Sequence, residues 1–454
     1  MSTTLYAYLG NTPITFGAYG SNTTTIASTW TRPSDWLTMP DTSSMTGSVG
    51  SFVGLLAVPT GSGNFVALSA TNAYTVTWGD GTSGSYAANA TAQYQYNYDT
   101  LPSSSYSSGS VPNNGGLGYR QVLITVVPSG SGVNFTGINL QKKHSQGGLP
   151  AVPDVNWLDI AVGGSNITSI NNIGGVAVNL QYLAQCNVVN ISSSITNFSN
   201  MFSNCYSLQS VPLFNTQNGT NFSNMFYSSY TAMALNTVPL FNTSNGTSFS
   251  SMFNGCVALN TVPLFDTRNG TDFGYMFYYC YSLQSVPLFN TQNGTNFSYM
   301  FTSCFSLPSV PLFNTQNGIN FGGMFDTCYS LHSVPLFNTQ NGTNFSDMFN
   351  KCRSLASIPP FNVTNTAATA SGTFTTMFNQ QCYNLQIGTL SGSRSTIDYT
   401  GCILSYPEII NIFNNLGITG SVPCSITCSG NWGSSSLSPS DISIATNKGW
   451  TVKN

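Results

Sequence analysis

The residue types that most often carry out acid–base chemistry are scarce in this chain. Its 454 residues include two histidines, His144 and His332, and one glutamate, Glu408. General acid–base catalysis needs such groups in defined positions, and no nucleophile motif surrounds either histidine. A glycan-cleaving site would need two paired carboxylates. The acids of the 24-residue repeats described below stand at unrelated repeat positions, and they are Asp266, Asp272, Asp326 and Asp347. We therefore predict a protein that is not an enzyme and has no catalytic residues.

The chain is also poor in charge. It has 10 lysines and arginines and 13 aspartates and glutamates, which gives a net charge of −3 and a charged fraction of 5%. Ordinary soluble domains carry about 25% charged residues. Because nucleic-acid binding depends on a basic surface that neutralises phosphates, we expect no nucleic-acid partner. The hydrophobic content of 41% still predicts a chain that folds.

Cysteine is the one reactive residue type that recurs regularly. Five of the 11 cysteines follow one another at intervals of 24 residues, namely Cys256, Cys280, Cys304, Cys328 and Cys352. Such a column spreads its thiols along a line, whereas zinc needs four ligands around one point. We therefore interpret the column as buried core and predict neither a metal nor a cofactor. Cys402, Cys424 and Cys428 lie outside the column, and a disulfide among these three remains an open alternative.

The spacing of the cysteines belongs to a longer internal repeat. The dipeptide Met-Phe recurs with a period of 24 residues, interrupted by two longer intervals, and begins at Met201, Met225, Met252, Met276, Met300, Met324, Met348 and Met377. One repeat cannot bury its own apolar side, so stacked neighbours must supply the partner surface. The period predicts a solenoid with parallel in-register strands about 4.8 Å apart.

Each 24-residue coil divides into three predicted parts. The β-favouring segment Ser285–Phe289 is expected to form a strand, which must be very short or carry Pro287 at its edge. The segment Asn290–Gly294 is expected to turn the chain and ends in Asn-Gly, where positive φ is tolerated. The spacing of the apolar residues in Phe297–Leu307 predicts a short helical turn with one buried face.

The turns place threonines in register along one edge of the predicted stack. These are Thr216, Thr243, Thr267, Thr291, Thr315 and Thr339. Exposed rows of hydroxyls and amides could meet the hydroxyl groups of a saccharide, so these threonines form a candidate recognition ladder. The alternative, which we favour, is that the neighbouring asparagines hydrogen-bond to one another along the stack and satisfy the turns themselves.

The repeat resembles a known family. Coils of the form Met-Phe-x-x-Cys-x-x-Leu followed by Pro-Leu-Phe-x-Thr are similar to the BspA-type, or DUF285, leucine-rich-repeat-like family, densely so over residues 197–385. That family occurs in bacterial surface proteins, mycoplasma lipoproteins and marine phage proteins. The resemblance implies a right-handed solenoid used for adhesion or display, and it implies no chemistry.

The N-terminal third has a different pattern. Alternating segments around Tyr74–Thr82, Ala92–Tyr98 and Tyr119–Val127 predict a β-sandwich. The Trp-Gly-Asp-Gly turn with the strands that follow it resembles a PKD-like, immunoglobulin-fold domain over residues 45–130. Asp80 in this turn is a lone carboxylate, far from the six to eight oxygens of a calcium site, so we expect it to stabilise the turn.

A segment rich in tryptophan precedes the sandwich. Trp30, Arg32, Asp35 and Trp36 form the motif Trp-x-Arg-Pro-x-Asp-Trp-Leu, which is similar to stretches in phage structural proteins. We consider two roles for this segment, docking onto other virion proteins and packing against the chain's own core. Packing within the chain is favoured, and pairing of Arg32 with Asp35 is a further expectation.

The predicted organisation is therefore mainly β in five parts. They are a β-rich docking segment at 1–44, a PKD/Ig-like β-sandwich at 45–130, a linker at 131–150 with a solvated Lys142-Lys143-His144 cluster, a BspA/LRR-like solenoid at 151–385 and a C-terminal cap at 386–454. The cap is expected to contain an amphipathic helix within 406–417. It ends in Ala-x-Asn-Lys-Gly-Trp, which resembles endings of other phage proteins of this repeat class.

These observations favour a non-enzymatic virion surface protein, either a fibre or a capsid decoration. It would display a rigid solenoid for particle structure and adhesion to the host surface. The expected partners are other virion proteins at the N-terminal region, further copies of the same chain, and a host-surface glycan or protein. Because no signal peptide or long apolar run is present, we expect assembly in the host cytoplasm without membrane insertion. The alternative is a bacterial cell-surface adhesin or an extracellular filament protein.

Overall fold

A computed structural model gives the fold of this chain, which is mainly β with 8% helix and 22% strand. It describes residues 6–9, 12–15, 31–42, 45, 50–61, 63–109, 118–130, 134, 136–140, 142–145, 156–168, 180, 182–228, 233–365, 374, 376–378 and 382–454. The chain divides into two compact units. The first contains residues 1–220 and 224–243, and the second contains 221–223 and 244–454.

Twelve strands are described in the first unit. They are β1 (Tyr6–Leu9), β2 (Thr12–Thr15), β3 (Ser51–Val58), β4 (Phe65–Ala70), β5 (Tyr74–Thr77), β6 (Ser83–Tyr86), β7 (Ala92–Gln95), β8 (Tyr106–Ser107), β9 (Tyr119–Pro128), β10 (Ile138–Asn139), β11 (Trp157–Gly163) and β12 (Gln185–Val189). Strands β1 and β2 form a separate antiparallel hairpin. Short 3₁₀ turns lie at Tyr98–Thr100 and Ser103–Ser105.

Two sheets form the predicted sandwich. The larger has the order β12-β11-β3-β9-β5-β6 with β8 added to β9, and the smaller has the order β10-β4-β7. The sheets meet where the hydroxyl of Tyr74 on β5 accepts a hydrogen bond of 3.2 Å from the amide of Ala92 on β7. The sandwich predicted from the alternating segments is therefore present.

The larger sheet continues past the segment predicted as a linker. Strand β11 pairs antiparallel with β3 and parallel with β12, and every residue of β11 is buried. A strand buried on both faces belongs in the middle of a sheet, which explains its unbroken apolar run. Within the predicted linker, β10 pairs with β4. His144, expected to be solvated, is instead fully buried with its ring centroid 5.0 Å from that of Phe65.

Solenoid coils occupy about ten turns within residues 159–453. The second unit contains short parallel strand pairs and two helices, which are β13 (Phe361–Asn362), β14 (Leu390–Ser391), β15 (Ile397–Asp398), β16 (Cys424–Thr427), β17 (Trp450–Lys453), α1 (Tyr406–Asn415) and α2 (Pro439–Thr446), with a 3₁₀ turn at Ser434–Ser436. Within the described part of the chain, no helix has the length and apolarity to cross a bilayer.

The strand predicted in each regular coil is absent from the Pro-Leu-Phe segment. There the amide of Phe289 donates to the carbonyl of Pro287 at 2.9 Å, which closes a three-residue γ-turn, and Phe265, Phe313 and Phe337 repeat this bond. Most parallel bridges between regular coils fall instead at the residue before the first phenylalanine, for example between Asp272 and Asn296, and a further one joins Ser333 to Ser357. Proline cannot donate to a ladder, which explains why the segment turns rather than pairs.

The predicted helical turn is also not a helix, although its buried face is correct. Phe297, Met300, Phe301, Cys304 and Leu307 are all fully buried. The amides in this segment divide into two alternating sets, one closing turns inside the coil and the other donating to the next coil. Thus Met300 donates to the carbonyl of Phe297 at 3.3 Å, whereas Phe301 donates to that of Met324 at 2.9 Å. A helix would use both sets internally, so stacking takes precedence over helix formation.

The Asn-Gly turn needs its glycine for a reason other than the predicted positive φ. Gly294 does not have a positive φ. A Cβ at Gly294 would lie 2.5 Å from Cζ of Phe297 and 3.1 Å from Cε2 of Phe273. These rings belong to a column in which successive phenylalanines stack at centroid distances of 5.6–5.7 Å, as in Phe273–Phe297 and Phe297–Phe321. Glycine is required here because the aromatic core approaches the turn closely.

The C-terminal region contains the predicted helix. Helix α1 begins after Ser405, whose side chain caps it, and carries the buried Glu408 in its first turn. The ending Ala-x-Asn-Lys-Gly-Trp closes over the other end of α1, where Lys448 Nζ donates to the carbonyls of Phe413 and Leu416 at 3.0 Å. Parallel pairing continues from β15 through β16 to β17, so coil stacking extends beyond residue 386.

Candidate functional site

The threonines predicted as a recognition ladder are buried inside the turns. All six, Thr216, Thr243, Thr267, Thr291, Thr315 and Thr339, are at most 2% exposed. The hydroxyl of Thr291 donates to the carbonyl of Asn314 in the next coil at 2.8 Å, and Thr315 makes the same bond to Asn338 at 2.9 Å. A buried donor that already has a partner cannot meet a saccharide, so this prediction is wrong.

The asparagines take the structural role that the alternative gave them. Asn296 Nδ2 donates to Asp272 Oδ1 at 2.8 Å, and Asn344 Nδ2 donates to Asn320 Oδ1 at 3.0 Å, each across one coil. In the turn itself Asn317 Nδ2 donates to the carbonyl of Gln292 at 2.8 Å. These contacts satisfy turn groups along the stack, as the alternative expected, although only part of the ladder joins side chain to side chain.

The five cysteines of the column are buried core. Each is fully buried, and the thiols after the first donate to a phenylalanine carbonyl of the preceding coil, as Cys304 Sγ does to Phe277 at 3.2 Å. Burial raises the pKa of these thiols, and it raises the pKa of Cys382, which continues the column, to about 12. A thiol held protonated is a poor nucleophile and a poor metal ligand.

The three cysteines outside the column are separate buried thiols in the structure. Cys402, Cys424 and Cys428 are each at most 2% exposed and none is bonded to another cysteine. Cys424 Sγ donates to the carbonyl of Arg394 at 3.1 Å. Among the described residues, no group of three or more histidine, cysteine, aspartate or glutamate side chains is placed to hold a metal ion.

The described part of the tryptophan-rich segment packs on the chain's own sheet. Arg32 Nε forms an ion pair with Asp159 Oδ2 on β11 at 3.1 Å, rather than with Asp35 as expected. Trp36 Nε1 donates to the hydroxyl of Tyr119 on β9 at 2.9 Å. Gln121 Nε2, also on β9, donates to the carbonyl of Asp35 at 2.8 Å. Trp30 lies outside the described residues.

Burial at this ion pair controls the acidity of Asp159. Its side chain is 6% exposed, and burial raises the pKa of Asp159 although Arg32 acts in the opposite direction. Asp80 shows the reverse balance. Burial alone would raise the pKa of Asp80, but hydrogen bonds from Thr82 and Tyr94 outweigh it and lower that pKa. Asp80 thus stabilises its turn, as expected.

A tyrosine cluster on the coils was not found from the sequence. Tyr275 and Tyr279 are 37% and 41% exposed, and the ring of Tyr275 stacks on that of Tyr299 in the next coil with centroids 4.8 Å apart. Tyr278 packs between Tyr275 and Tyr279, and its ring centroid is 4.0 Å from that of Tyr279. Tyr275, Tyr279 and Tyr299 all have positive φ. These four residues, the tyrosine cluster, occupy variable repeat positions, so only their accumulation in two coils could have signalled them.

A second aromatic column runs beside the cysteines. Tyr281, Phe305 and Tyr329 follow successive column cysteines and stack with centroid distances of 4.6 and 4.9 Å. Arg353 ends the column, with its guanidinium carbon 4.5 Å from the ring centroid of Tyr329. Such a cation–π contact stabilises the end of an aromatic stack, so this column is a structural feature of the coil surface.

A stripe of leucines was also missed, because the sequence placed it in a strand. The central leucines of the γ-turns are 57–59% exposed, and in the second unit they are Leu264, Leu288, Leu312 and Leu336. We call these four the leucine stripe. The valine two residues before each leucine and the phenylalanine after it are buried. Between Leu264 and Leu288 the surface forms a groove of about 510 Å³ that Asp266 and Arg268 also line.

The regular coils have a counterpart among known families. Residues 196–309 and 289–386 match the family model described as "Mycoplasma protein of unknown function, DUF285". The coils are similar to the repeats of that family, and we refer to them as DUF285-like repeats. The matched region contains the tyrosine cluster and the leucine stripe, whereas the sandwich lies outside it. Comparison with curated proteins gives no match.

One solved structure similar to this chain is the "Crystal structure of TLR13-ssRNA13 complex", at 12% sequence identity with a TM-score of 0.17. The similarity covers 59% of this chain and 54% of that chain, so this chain spans about half the length of that protein.

Proposed function

We propose that this protein is a non-enzymatic surface protein that displays its DUF285-like repeats for adhesion. The observation that carries the proposal is how the coils use their polar groups. Column thiols, turn threonines and turn asparagines bond to neighbouring coils. The large side chains that the coils expose include tyrosines and leucines. Such a surface suits recognition of a partner, since large exposed aromatic and aliphatic groups supply contact area.

The finer proposal is a phage virion protein, either a fibre or a capsid decoration, assembled in the host cytoplasm. Its support is the resemblance of two motifs to phage structural proteins. Both motifs also make defined contacts within the fold. The Arg32 segment is bonded to the sandwich, and the motif ending in Trp450 closes over α1. The sandwich would be a PKD-like module, and the N-terminal region would contact other virion proteins.

The tyrosine cluster is the candidate contact for the host surface. Tyrosine combines an apolar ring with a polar hydroxyl, and the paired rings of Tyr275 and Tyr299 are held in place by stacking before any partner arrives. Rings that combine apolar faces with hydroxyl groups suit a glycan or a protein surface. Adhesion would then depend on Tyr275 and Tyr279, the most exposed members.

A mass-spectrometric inventory of purified particles tests the virion role. The polypeptide should be present in amounts comparable with other structural proteins, and its absence would refute this role.

Adhesion is tested with purified Tyr275→Ser/Tyr279→Ser protein on susceptible cells. Ser251 and Ser303 occupy the same repeat positions with positive φ, so serine fits the backbone there. Tyr383→Ser, at a tyrosine that is 55% exposed outside the cluster, is the matched control.

The alternative is a bacterial cell-surface adhesin or filament protein, which the description of the matched family as a Mycoplasma protein favours. Fractionation of cells that carry the gene distinguishes the two, because an adhesin would be found on the cell surface without particle production. Sustained release of sugars in a glycan-depolymerisation assay would contradict the non-enzymatic assignment in either case.

A further inference from the structure

The leucine stripe is a regular apolar feature on the surface of the described coils. Leu264, Leu288, Leu312 and Leu336 recur every 24 residues, each 57–59% exposed. A single exposed leucine needs no explanation, but an aligned series forms a contiguous patch of the kind that marks an interaction surface.

The γ-turn gives this stripe a rigid backbone in which few amides lack a hydrogen-bond acceptor. Pro287 has no amide hydrogen, and the amide of Phe289 is already bonded to the Pro287 carbonyl at 2.9 Å. Phe289 itself is buried, so the turn is anchored to the core and directs Leu288 outwards. A partner can therefore cover the leucines without leaving these backbone groups unsatisfied.

The charges beside the stripe do not oppose a close approach. Asp266 and Arg268 flank Leu264 and form an ion pair of 2.6 Å with each other. Further along, Asn290 and Gln292 line the same groove and are neutral. Two such surfaces can meet without strong like-charge repulsion.

We propose that the leucine stripe is the surface through which two copies of this chain associate side by side. The axial repeat selects this occupant, because a second copy carries leucines at the same coil spacing and can match every one of them. Homo-oligomers of this kind are the commonest assemblies of soluble proteins, and a two-fold interface uses the same patch on both subunits.

The expected interface is modest in size. Four leucines exposed to this degree contribute on the order of 400 Å² per copy, against about 800 Å² per partner in a standard interface. The remainder comes from the flanking neutral amides, which form the polar rim that such interfaces have. We therefore expect a reversible dimer whose strength depends on the apolar area that the leucines bury.

Sedimentation equilibrium of the full chain tests the proposal. The wild-type protein should dimerise, and Leu288→Asn/Leu312→Asn should raise the dimer dissociation constant at least tenfold. Because both leucines are exposed, their replacement should leave the circular dichroism spectrum unchanged. The control is Gln284→Ser/His332→Ser, at two exposed residues that share another repeat position, and it should dimerise as the wild type does. A monomeric wild type, or an unchanged constant in the leucine variant, would overturn the proposal.

Cross-linking locates the contact even if the asparagine variant fails to fold. All 11 native cysteines are buried, so Leu288→Cys supplies the one accessible thiol. Under mild oxidation, Leu288→Cys alone should form a disulfide dimer if the copies run parallel. A mixture of Leu288→Cys and Leu312→Cys chains should cross-link if they run antiparallel. Gln284→Cys should not cross-link, and a dimer in which neither leucine arrangement does so would use another surface.

The leucine-stripe dimer rests on the proposed function only because that function also expects the chain to associate with further copies of itself. Particles that lack this polypeptide would refute the virion role and leave a stripe-mediated dimer in place. Conversely, particles that incorporate Leu288→Asn/Leu312→Asn protein normally, together with an unchanged dissociation constant, would refute the stripe and leave the virion role intact.

Discussion

The ring of Tyr299 lies over the backbone of Gly323, the residue at the same position one coil later. A Cβ added at Gly323 would be 2.4 Å from Cδ1 of Tyr299, and Gly323 has a φ of +61°. The tyrosine cluster therefore depends on a glycine outside it. Tyr275 and Tyr299 occupy this same repeat position in the two preceding coils. There the two rings stack on each other, so both side chains fit.

Replacing this glycine should disturb both the fold and the cluster. Gly323→Ala adds the cost of a left-handed alanine, about 1 kcal/mol, and an overlap with Tyr299 that adds about 1–3 kcal/mol. Gly420→Ala is the control, because Gly420 has a φ of +65° and nothing within 4 Å of the added Cβ. Urea denaturation should show the larger loss for Gly323→Ala, with a changed near-ultraviolet tyrosine signal. Equal losses in the two variants would contradict the contact.

The thiols should be inaccessible in the native protein and complete in number after unfolding. All 11 cysteines are buried and free. Ellman's reagent should therefore find no fast-reacting thiol in the folded chain and 11 in guanidinium chloride. If only nine react after unfolding, a disulfide has formed, and peptide mapping should then locate it among Cys402, Cys424 and Cys428.

Stability should fall as the solution becomes alkaline. Burial raises the pKa of Cys382 and of Cys428 to about 12, whereas an unfolded thiol ionises near pH 8.5. Above about pH 8.5 the unfolded chain loses protons that the folded chain keeps, so the free energy of unfolding decreases with rising pH, by about 1.4 kcal/mol per pH unit for each such thiol. The stability is fully present below that pH.

Urea midpoints at pH 7.5 and 9.5 measure this alkaline effect. Cys382→Ala loses packing at both values, but its stability should fall by about 1 kcal/mol less between them, since one titrating thiol is gone. An identical fall in the wild type and the variant would show that Cys382 is not held protonated.

The Arg32–Asp159 ion pair should be more important at neutral than at acid pH. Arg32→Ala leaves a buried carboxylate without its partner, which should destabilise the protein by about 3 kcal/mol at pH 7. The pKa of Asp159 is already raised by burial, so the folded chain binds its proton more readily than the unfolded chain. The variant should therefore recover stability as the pH falls towards 4.

A second substitution checks the cause. Arg32→Ala/Asp159→Asn removes the uncompensated charge, so it should be more stable at pH 7 than Arg32→Ala and should lack the acid recovery. If both variants show the same pH dependence, the loss in Arg32→Ala comes from its hydrogen bond to the Leu37 carbonyl and not from Asp159.

The predictable part of the site is the part governed by side-chain type. The sequence predicted the burial of the column cysteines because small apolar groups at a fixed period belong to a core. It made Thr315 a candidate for recognition and placed Leu288 in a short strand, and neither prediction follows the hydrogen bonds of the folded coil. In the structure Thr315 Oγ1 has a carbonyl partner at 2.9 Å, and the γ-turn at Pro287 directs Leu288 to solvent.

The sequence by itself thus determined the period, the stacked coils, the sandwich, helix α1 and the absence of paired acids in the repeats. These follow from regular spacing and composition, which any chain segment carries without its neighbours. Only the tertiary structure decided which face each residue occupies, because the deciding hydrogen bonds join residues about one coil apart, as Cys304 joins Phe277. Backbone groups must be satisfied between coils before side chains are placed, and that requirement produced the tyrosine cluster and the leucine stripe.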